Sequence, residues 1–229
     1  NFDPNNYQNY STEELSRNLP IWASYEPGST QKIVTTAAAV EEGVIDLFKD
    51  EFTDTGSVRV DTARIKCWKA GGHGHQTFLQ VLQNSCNPGF VKMGQLLGKE
   101  RLFHYLDIFG FGSKTGIDLN GEGEGIIFPL DRVGNIELAT TAFGQGISVT
   151  PIQQVRAISA VINGGILLKP YVLKNILEPE TGNVMEHNSK TEVRRVISEE
   201  TSEIMRYALE TVVALGGGKS AYIDGYRIG

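Results

Sequence analysis

Glu26-Pro27-Gly28-Ser29-Thr30-Gln31-Lys32 is the stretch whose reading decides how this chain folds and where its chemistry sits. Pro27 and Gly28 interrupt regular structure and Ser29 opens the next element, so the stretch reads as a turn feeding a helix. That helix is predicted over Thr30 to Glu42, with Ala37-Ala38-Ala39 suited to close burial and Gly43 as its terminator. Ser29 and Lys32 are three residues apart, so they share a helical face and their side chains can touch. A lysine in a partly desolvated cleft loses its proton readily enough to act as a general base, and a helix N-terminus favours negative charge growing on the serine. The pair is an arrangement for acyl transfer. With thirteen serines and eleven lysines the spacing alone recurs by chance. Position makes it specific: this copy follows a Pro-Gly turn and opens an Ala-rich helix, where a serine can face a cleft.

Downstream, Phe78, Leu79, Val81 and Leu82 predict a short amphipathic helix ending near Asn84, and a second helix is predicted from Pro88 to Gly98. Ser85-Cys86-Asn87 then connects two helices. Side chains at i and i+2 of such a connector can point the same way, offering a hydroxyl for proton relay and an amide for a substrate carbonyl. The plainer alternative is that Ser85 and Asn87 cap the second helix. From Phe52 to Trp68, Val58, Val60 and Ile65 flank Asp61-Thr62 and predict a β-hairpin. Gly-rich loops are expected over 110–125 and 144–146, and a helix after Thr150-Pro151 through Val161. A strand is expected over 166–176, a turn over Glu178 to Gly182, a helix over Glu199 to Val213, and a last strand-like segment after Gly216-Gly217-Gly218.

The 229 residues, 40% of them hydrophobic, suffice for one large core or for two lobes sharing a cleft. A net charge of −6 with basic residues scattered singly argues against nucleic acid as a partner. The apolar runs Ile33 to Val40 and Ile158 to Leu168 are interrupted and too short for a bilayer span, and no signal peptide opens the chain. Asn1-Phe2-Asp3 and the closing Tyr226-Arg227-Ile228-Gly229 both read as cuts in a longer sequence. Two cysteines define no disulfide framework.

Tyr25-Glu26-Pro27-Gly28-Ser29-Thr30-Gln31-Lys32, Asn84-Ser85-Cys86-Asn87-Pro88, and Phe143-Gly144-Gln145-Gly146 followed by Thr150-Pro151 closely resemble class B penicillin-binding proteins in order and spacing. Phe2-Asp3-Pro4-Asn5, the segment from Gly110 to Leu119 and the closing Asp224-Gly225-Tyr226-Arg227-Ile228-Gly229 extend the likeness over essentially the whole chain. Cys67-Trp68-Lys69-Ala70-Gly71-Gly72-His73-Gly74 looks most like the sporulation-specific type of clostridia and bacilli. The resemblance implies that Ser29 attacks the penultimate D-Ala carbonyl of a peptidoglycan stem peptide, releases the last D-Ala and passes the acyl group to an amine on a neighbouring strand. β-Lactams would acylate the same serine. It further implies Lys32 as base, Ser85 as proton relay to the leaving nitrogen, Asn87 as holder of the substrate amide, and no cofactor for catalysis. Half the oxyanion hole would come from the Ser29 backbone N–H.

One family element departs from the pattern. The Lys-Thr-Gly of the cleft-lining strand is expected just after Gly229; Lys114-Thr115-Gly116 lies in a Gly-rich loop and matches a different family segment, so it is a decoy. A piece lacking that strand is expected to be an impaired enzyme.

Cys67, His73 and His75 form C-x5-H-x-H, a concentration of zinc-type ligands within nine residues. If Asp61-Thr62 is a two-residue turn, Val60 pairs with Ala63 and Gly56 with Cys67, which brings Asp54 near Cys67 as fourth ligand. The set Asp54, Cys67, His73 and His75 predicts a closed structural zinc site, with Cys86 a buried free thiol. The alternative is a packed His73 and an inert Cys67.

The fold expected is α/β, the penicillin-binding transpeptidase fold: an antiparallel sheet backed by helices from residues 1–43 and 151–229, and a mainly helical lobe over 44–150 carrying the hairpin and the Ser-x-Asn connector. Competing readings are a serine β-lactamase or β-lactam sensor, for which no deacylating residue is assignable, and a non-catalytic penicillin-fold module. The function places the protein on the extracytoplasmic face of the cell membrane, anchored by an N-terminal segment absent from this chain. Its partners would be stem peptides, β-lactam antibiotics and membrane proteins of cell-wall synthesis, division or sporulation.

Overall fold

In the computed structural model, which describes residues 3–229, the Pro27-Gly28 break produces a 3-10 turn over Gly28–Thr30 that runs directly into a helix. Asn1 and Phe2, and with Phe2 one residue of the family likeness, lie outside the described residues. Before that turn come a 3-10 segment (Pro4–Asn9) and two short helices, α1 (Thr12–Ser16), closed by a Ser11/Glu14 capping box, and α2 (Leu19–Trp22). The helix after the turn, α3 (Gln31–Glu41), starts one residue later than the sequence predicts because Thr30 completes the 3-10 turn. Val34 and Ala37, Ala38 and Ala39 are fully buried on it, and their small side chains admit neighbours on several sides.

The hairpin forms in the expected register but is shorter than Phe52 to Trp68, its paired strands spanning 57–66, with Phe52 in a separate ladder. β2 (Ser57–Val60) pairs with β3 (Ala63–Lys66), Val60 opposite Ala63, and Asp61 takes the left-handed φ of 49° that a two-residue turn needs. Pairing continues one step further, the Cys67 N–H donating to the Gly56 carbonyl at 2.9 Å. β1 (Glu51–Asp54) pairs antiparallel with β4 (Gly74–Thr77). Next come α4 (Phe78–Gln83), with a Thr77/Gln80 capping box, and α5 (Asn87–Leu97). Two helices went unanticipated, α6 (Lys99–Ile108) and α7 (Asn135–Ala142). α6 carries a legible stripe of Leu102, Phe103 and Leu106; α7 is eight residues with adjacent threonines between glycines, and tertiary burial of Leu138, Ala139 and Ala142 holds it.

α8 (Pro151–Ile162) starts on a Thr150/Gln153 capping box. The strand expected over 166–176 divides into β5 (Ile166–Lys169) and β6 (Asn175–Leu177), because Pro170 has no N–H for a ladder and Asp118 takes those of Val172 and Leu173, at 2.8 Å each. β7 (Val184–His187) pairs with β6 across the expected turn, β8 (Thr191–Arg195) pairs with β5, and α9 (Glu199–Ala214) follows. The fold is α/β with antiparallel pairing; among the described residues the strands lie in four two-stranded ladders. Among the described residues the segment after Gly218 forms a 3-10 turn (Lys219–Ala221) and no strand, Arg227 being drawn onto the Glu210 carboxylate of α9. α3 sits at the centre, in contact with α5, α6, α7, α8 and α9, so the turn bearing Ser29 is fixed from many sides.

Candidate active site

Ser29 is held by backbone packed against backbone. The Gly28 N–H donates to the Gly144 carbonyl at 2.9 Å, and a Cβ on Gly144 would fall 2.0 Å from the Gly28 oxygen, so only glycine lets the two segments approach this closely. The Glu26 carboxylate accepts from the Gly146 N–H at 2.8 Å, and Tyr25 and Val149 exchange two backbone bonds at 3.0 and 2.9 Å. The Phe143-Gly144-Gln145-Gly146 segment is thus the rear wall of the serine turn. From α8, the Gln154 amide donates to the Thr30 carbonyl at 3.2 Å.

Lys32, on the first turn of α3 and almost fully buried, reaches the connector between α4 and α5. Its Nζ lies 2.7 Å from Asn87 Oδ1, 2.8 Å from Ser85 Oγ, 2.9 Å from the Ser85 carbonyl and 3.3 Å from Ser29 Oγ. The Ser85 hydroxyl donates to Ser29 Oγ at 3.0 Å. Four residues named from the sequence therefore converge on one point. The capping alternative for Ser85 and Asn87 fails: the N-cap of α5 is Cys86 and makes no side-chain cap bond. Burial without a carboxylate partner pushes the Lys32 amine down from 10.5 to about 8. An ammonium has three protons for these four acceptors; the neutral amine keeps two and gains a lone pair, which suits it to accept from Ser29, the most distant. A hydroxyl beside a readily neutral amine and a second hydroxyl is a constellation for serine acylation.

The profile of the penicillin binding protein transpeptidase domain matches residues 1–229. The chain belongs to this family. It is 59% identical over 228 residues to stage V sporulation protein D of Bacillus subtilis, covering 100% of this chain and 35% of that protein. To the peptidoglycan D,D-transpeptidase FtsI of Escherichia coli K12 it is 30% identical, covering 99% of this chain and 36% of that protein. The chain thus spans about a third of the length of these curated relatives. Among solved structures it resembles the D,D-transpeptidase domain of a peptidoglycan glycosyltransferase from Eggerthella lenta (TM-score 0.87, 25% identity, 92% of this chain and 54% of that one). It also resembles penicillin-binding protein 3 of Mycobacterium tuberculosis in complex with aztreonam (TM-score 0.83, 29% identity, 91% and 48%).

In this transpeptidase domain Lys114-Thr115-Gly116 is occupied within its own loop. The Thr115 N–H and hydroxyl and the Gly116 N–H all donate to the Glu122 carboxylate, at 2.7, 2.5 and 3.1 Å. A carboxylate of the chain itself fills the turn.

Behind the Ser85 connector the transpeptidase domain carries a cluster of metal-type ligands. Asp54, Cys67, His73 and Cys86 each present a ligand atom, all within 4.8 Å of one another. Asp54 Oδ2 lies 3.1 Å from His73 Nδ1 and 3.3 Å from Cys86 Sγ, and Cys67 Sγ lies 3.3 Å from His73 Nδ1. His75 does not join them. It is exposed, with Nε2 2.9 Å from Glu51 and Nδ1 3.3 Å from Thr53 Oγ1. The cause is strand alternation: His75 sits opposite Thr53, so both face outward while Asp54 faces in. Its place is taken by Cys86, which the sequence suggests only as a buried free thiol. The signal was available, since if Ser85 and Asn87 face the cleft, the residue between them faces away from it. Burial raises both thiols, Cys86 to about 12, beside the Asp54 carboxylate. Burial would also raise Asp54, yet hydrogen bonds from the thiols and from the Gly56 and His73 N–H groups outweigh it and hold the carboxyl below its usual range.

Proposed function

We propose that this chain carries the acyl-transfer site of a peptidoglycan D,D-transpeptidase, with Ser29 as nucleophile, Lys32 as its base, Ser85 as proton relay and Asn87 as holder of the substrate amide. The observation carrying the reading is the contact of Ser29 Oγ with both Lys32 Nζ and Ser85 Oγ, around an amine that burial brings to about 8. Lys32 takes the serine proton as the hydroxyl attacks the penultimate D-Ala carbonyl, and the Ser29 N–H faces the developing oxyanion. Ser85, bonded to Lys32, returns the proton to the departing amine. A second strand's amine then takes the acyl group. A β-lactam presents a strained amide to the same serine, and its acyl-enzyme persists.

The substrate lies in the cell wall, so the domain is inferred to work on the extracytoplasmic face of the membrane, tethered by a segment outside this sequence. Among the described residues no helix is long and apolar enough to cross a bilayer. The similarity to a sporulation protein favours a role in spore-wall assembly beside membrane proteins of that process.

A specific observation supports a structural metal beside the site. Asp54, Cys67, His73 and Cys86 form a closed O/S/N/S set of the kind zinc takes, with neighbouring pairs 3.1 to 3.3 Å apart against the roughly 3.3–3.8 Å of a tetrahedral zinc shell. The ion would tie β1 and the hairpin to the connector and take no part in the chemistry.

Incubation with a penicillin followed by intact-mass measurement tests the acyl-transfer reading. The protein is expected to gain the mass of the drug, and Ser29→Ala to gain none. A folded protein that never labels, also when extended past Gly229, sinks the reading. Rapid loss of the adduct would instead identify a β-lactamase.

A further inference from the structure

Ser85 is one of two non-glycine residues in the described chain with positive φ, at 50°. The other, Asp61, occupies a hairpin turn that requires it. Ser85 has no such excuse, and a serine in the left-handed region is disfavoured by roughly 1–2 kcal/mol unless its surroundings enforce it. Rotating the peptide plane between Asn84 and Ser85 would relieve the strain, because that flip changes ψ of Asn84 and φ of Ser85 together. Each end of the plane is held. Its N–H donates to the Leu82 carbonyl at 3.0 Å, and its C=O, that of Asn84, accepts from the indole N–H of Trp68 at 2.8 Å.

The indole contact differs from those made by the α4 carbonyls before it. α4 ends here, so its last carbonyls lack helical partners. The Gln80 carbonyl is satisfied by the Asn84 N–H, that of Val81 by Cys86, that of Leu82 by Ser85 and that of Gln83 by Gly217, all backbone donors. The Asn84 carbonyl instead takes a side-chain donor, as does the Ser85 carbonyl after it, which accepts from Lys32 Nζ. Trp68 is 67% exposed, so little burial fixes it in place; its ring meets the edge of the His73 ring at a centroid distance of 5.2 Å. Asn84 is further pinned by its amide donating to the buried Gln76 at 3.0 Å.

We infer that Trp68 is a positioning residue, whose indole N–H locks the Asn84–Ser85 peptide plane and thereby aims the Ser85 hydroxyl and carbonyl at Lys32 and Ser29. The catalytic half of this inference rests on the acyl-transfer reading; the conformational half does not. Through its contact with His73, Trp68 also links the Asp54, Cys67, His73 and Cys86 cluster to the cleft.

Trp68→Phe removes the N–H and keeps an aromatic ring. Two measurements on this variant and the parent chain decide the matter: amide hydrogen exchange resolved at Ser85, and the kinetics of penicillin acylation separated into drug binding and acylation rate. Loss of one hydrogen bond to a backbone carbonyl predicts Ser85 exchange and acylation each changed by about three- to tenfold, exchange faster and acylation slower. Drug binding should stay within error of the parent, and the thermal midpoint should fall by no more than about 2–6 °C. Unchanged Ser85 exchange overturns the inference whatever the acylation does. Faster exchange with an unaltered acylation rate overturns the catalytic half, as does a loss confined to drug binding. A parent protein that never acylates, also when extended past Gly229, refutes the acyl-transfer reading instead, and leaves the peptide-plane lock to be judged on exchange alone.

Discussion

The depressed lysine makes a quantitative prediction about pH. Lys32 Nζ is buried among Asn87, Ser85 and Ser29 with no carboxylate beside it, which brings its pKa to about 8. If the neutral amine is the base, the acylation rate follows its population: roughly one part in eleven at pH 7, half at pH 8 and ten parts in eleven at pH 9. The rate should therefore rise about tenfold between pH 7 and 9 and then level off. An unshifted lysine at 10.5 would give roughly a hundredfold rise over the same interval with no plateau. The assay is stopped-flow acylation by a chromogenic cephalosporin from pH 6 to 10, corrected for hydrolysis of the drug. Stability supplies a second arm. Below the folded pKa, lysine is protonated in both the folded and unfolded states and the full cost of burying its charge is present. Between about 8 and 10.5 the folded state binds fewer protons, so this lysine's contribution to stability rises with pH, by up to about 3 kcal/mol. Replacing Lys32 with Met should abolish acylation and remove that rise. A rate climbing tenfold per unit through pH 9, or a stability contribution in the 8–10.5 window that survives Lys32→Met, would refute the reasoning.

The ligand assignment separates His75 from Cys86. Elemental analysis after purification in zinc should give one equivalent for the parent chain and for His75→Ala, and a sharply reduced content for Cys86→Ser; retention by Cys86→Ser with loss in His75→Ala would reverse the assignment. Gly144→Ala forces a Cβ to within 2.0 Å of the Gly28 oxygen at a φ of +88°. It should cost about 1–3 kcal/mol in denaturant unfolding and slow acylation by displacing the serine turn; an alanine variant of parental stability and rate would show that the wall yields freely.

The local signals were legible in the sequence wherever one residue type does one job. Pro27-Gly28 broke the chain ahead of Ser29, the i, i+3 spacing put Lys32 on the face of Ser29, and Asp61-Thr62 set the hairpin register that carries Asp54 toward Cys67. Each of these follows from backbone geometry within a few residues. The helices α6 and α7 were missed although α6 carried its apolar stripe, and the division of 166–176 at Pro170 was read as one strand because loose alternation outweighed the missing N–H.

What the sequence alone determined is the pairing of Ser29 with Lys32 and the order of the motifs, since helical periodicity places Ser29 beside Lys32 whatever surrounds them. Only the tertiary structure decided which groups meet across distance. Packing of α5 against α3 brings Ser85 and Asn87 to the lysine, removes its water and lowers its pKa. Pairing of β1 with β4 turns His75 to solvent and leaves Cys86 facing Asp54, because the face a strand residue shows depends on its cross-strand partner, and no spacing along the chain encodes that partner.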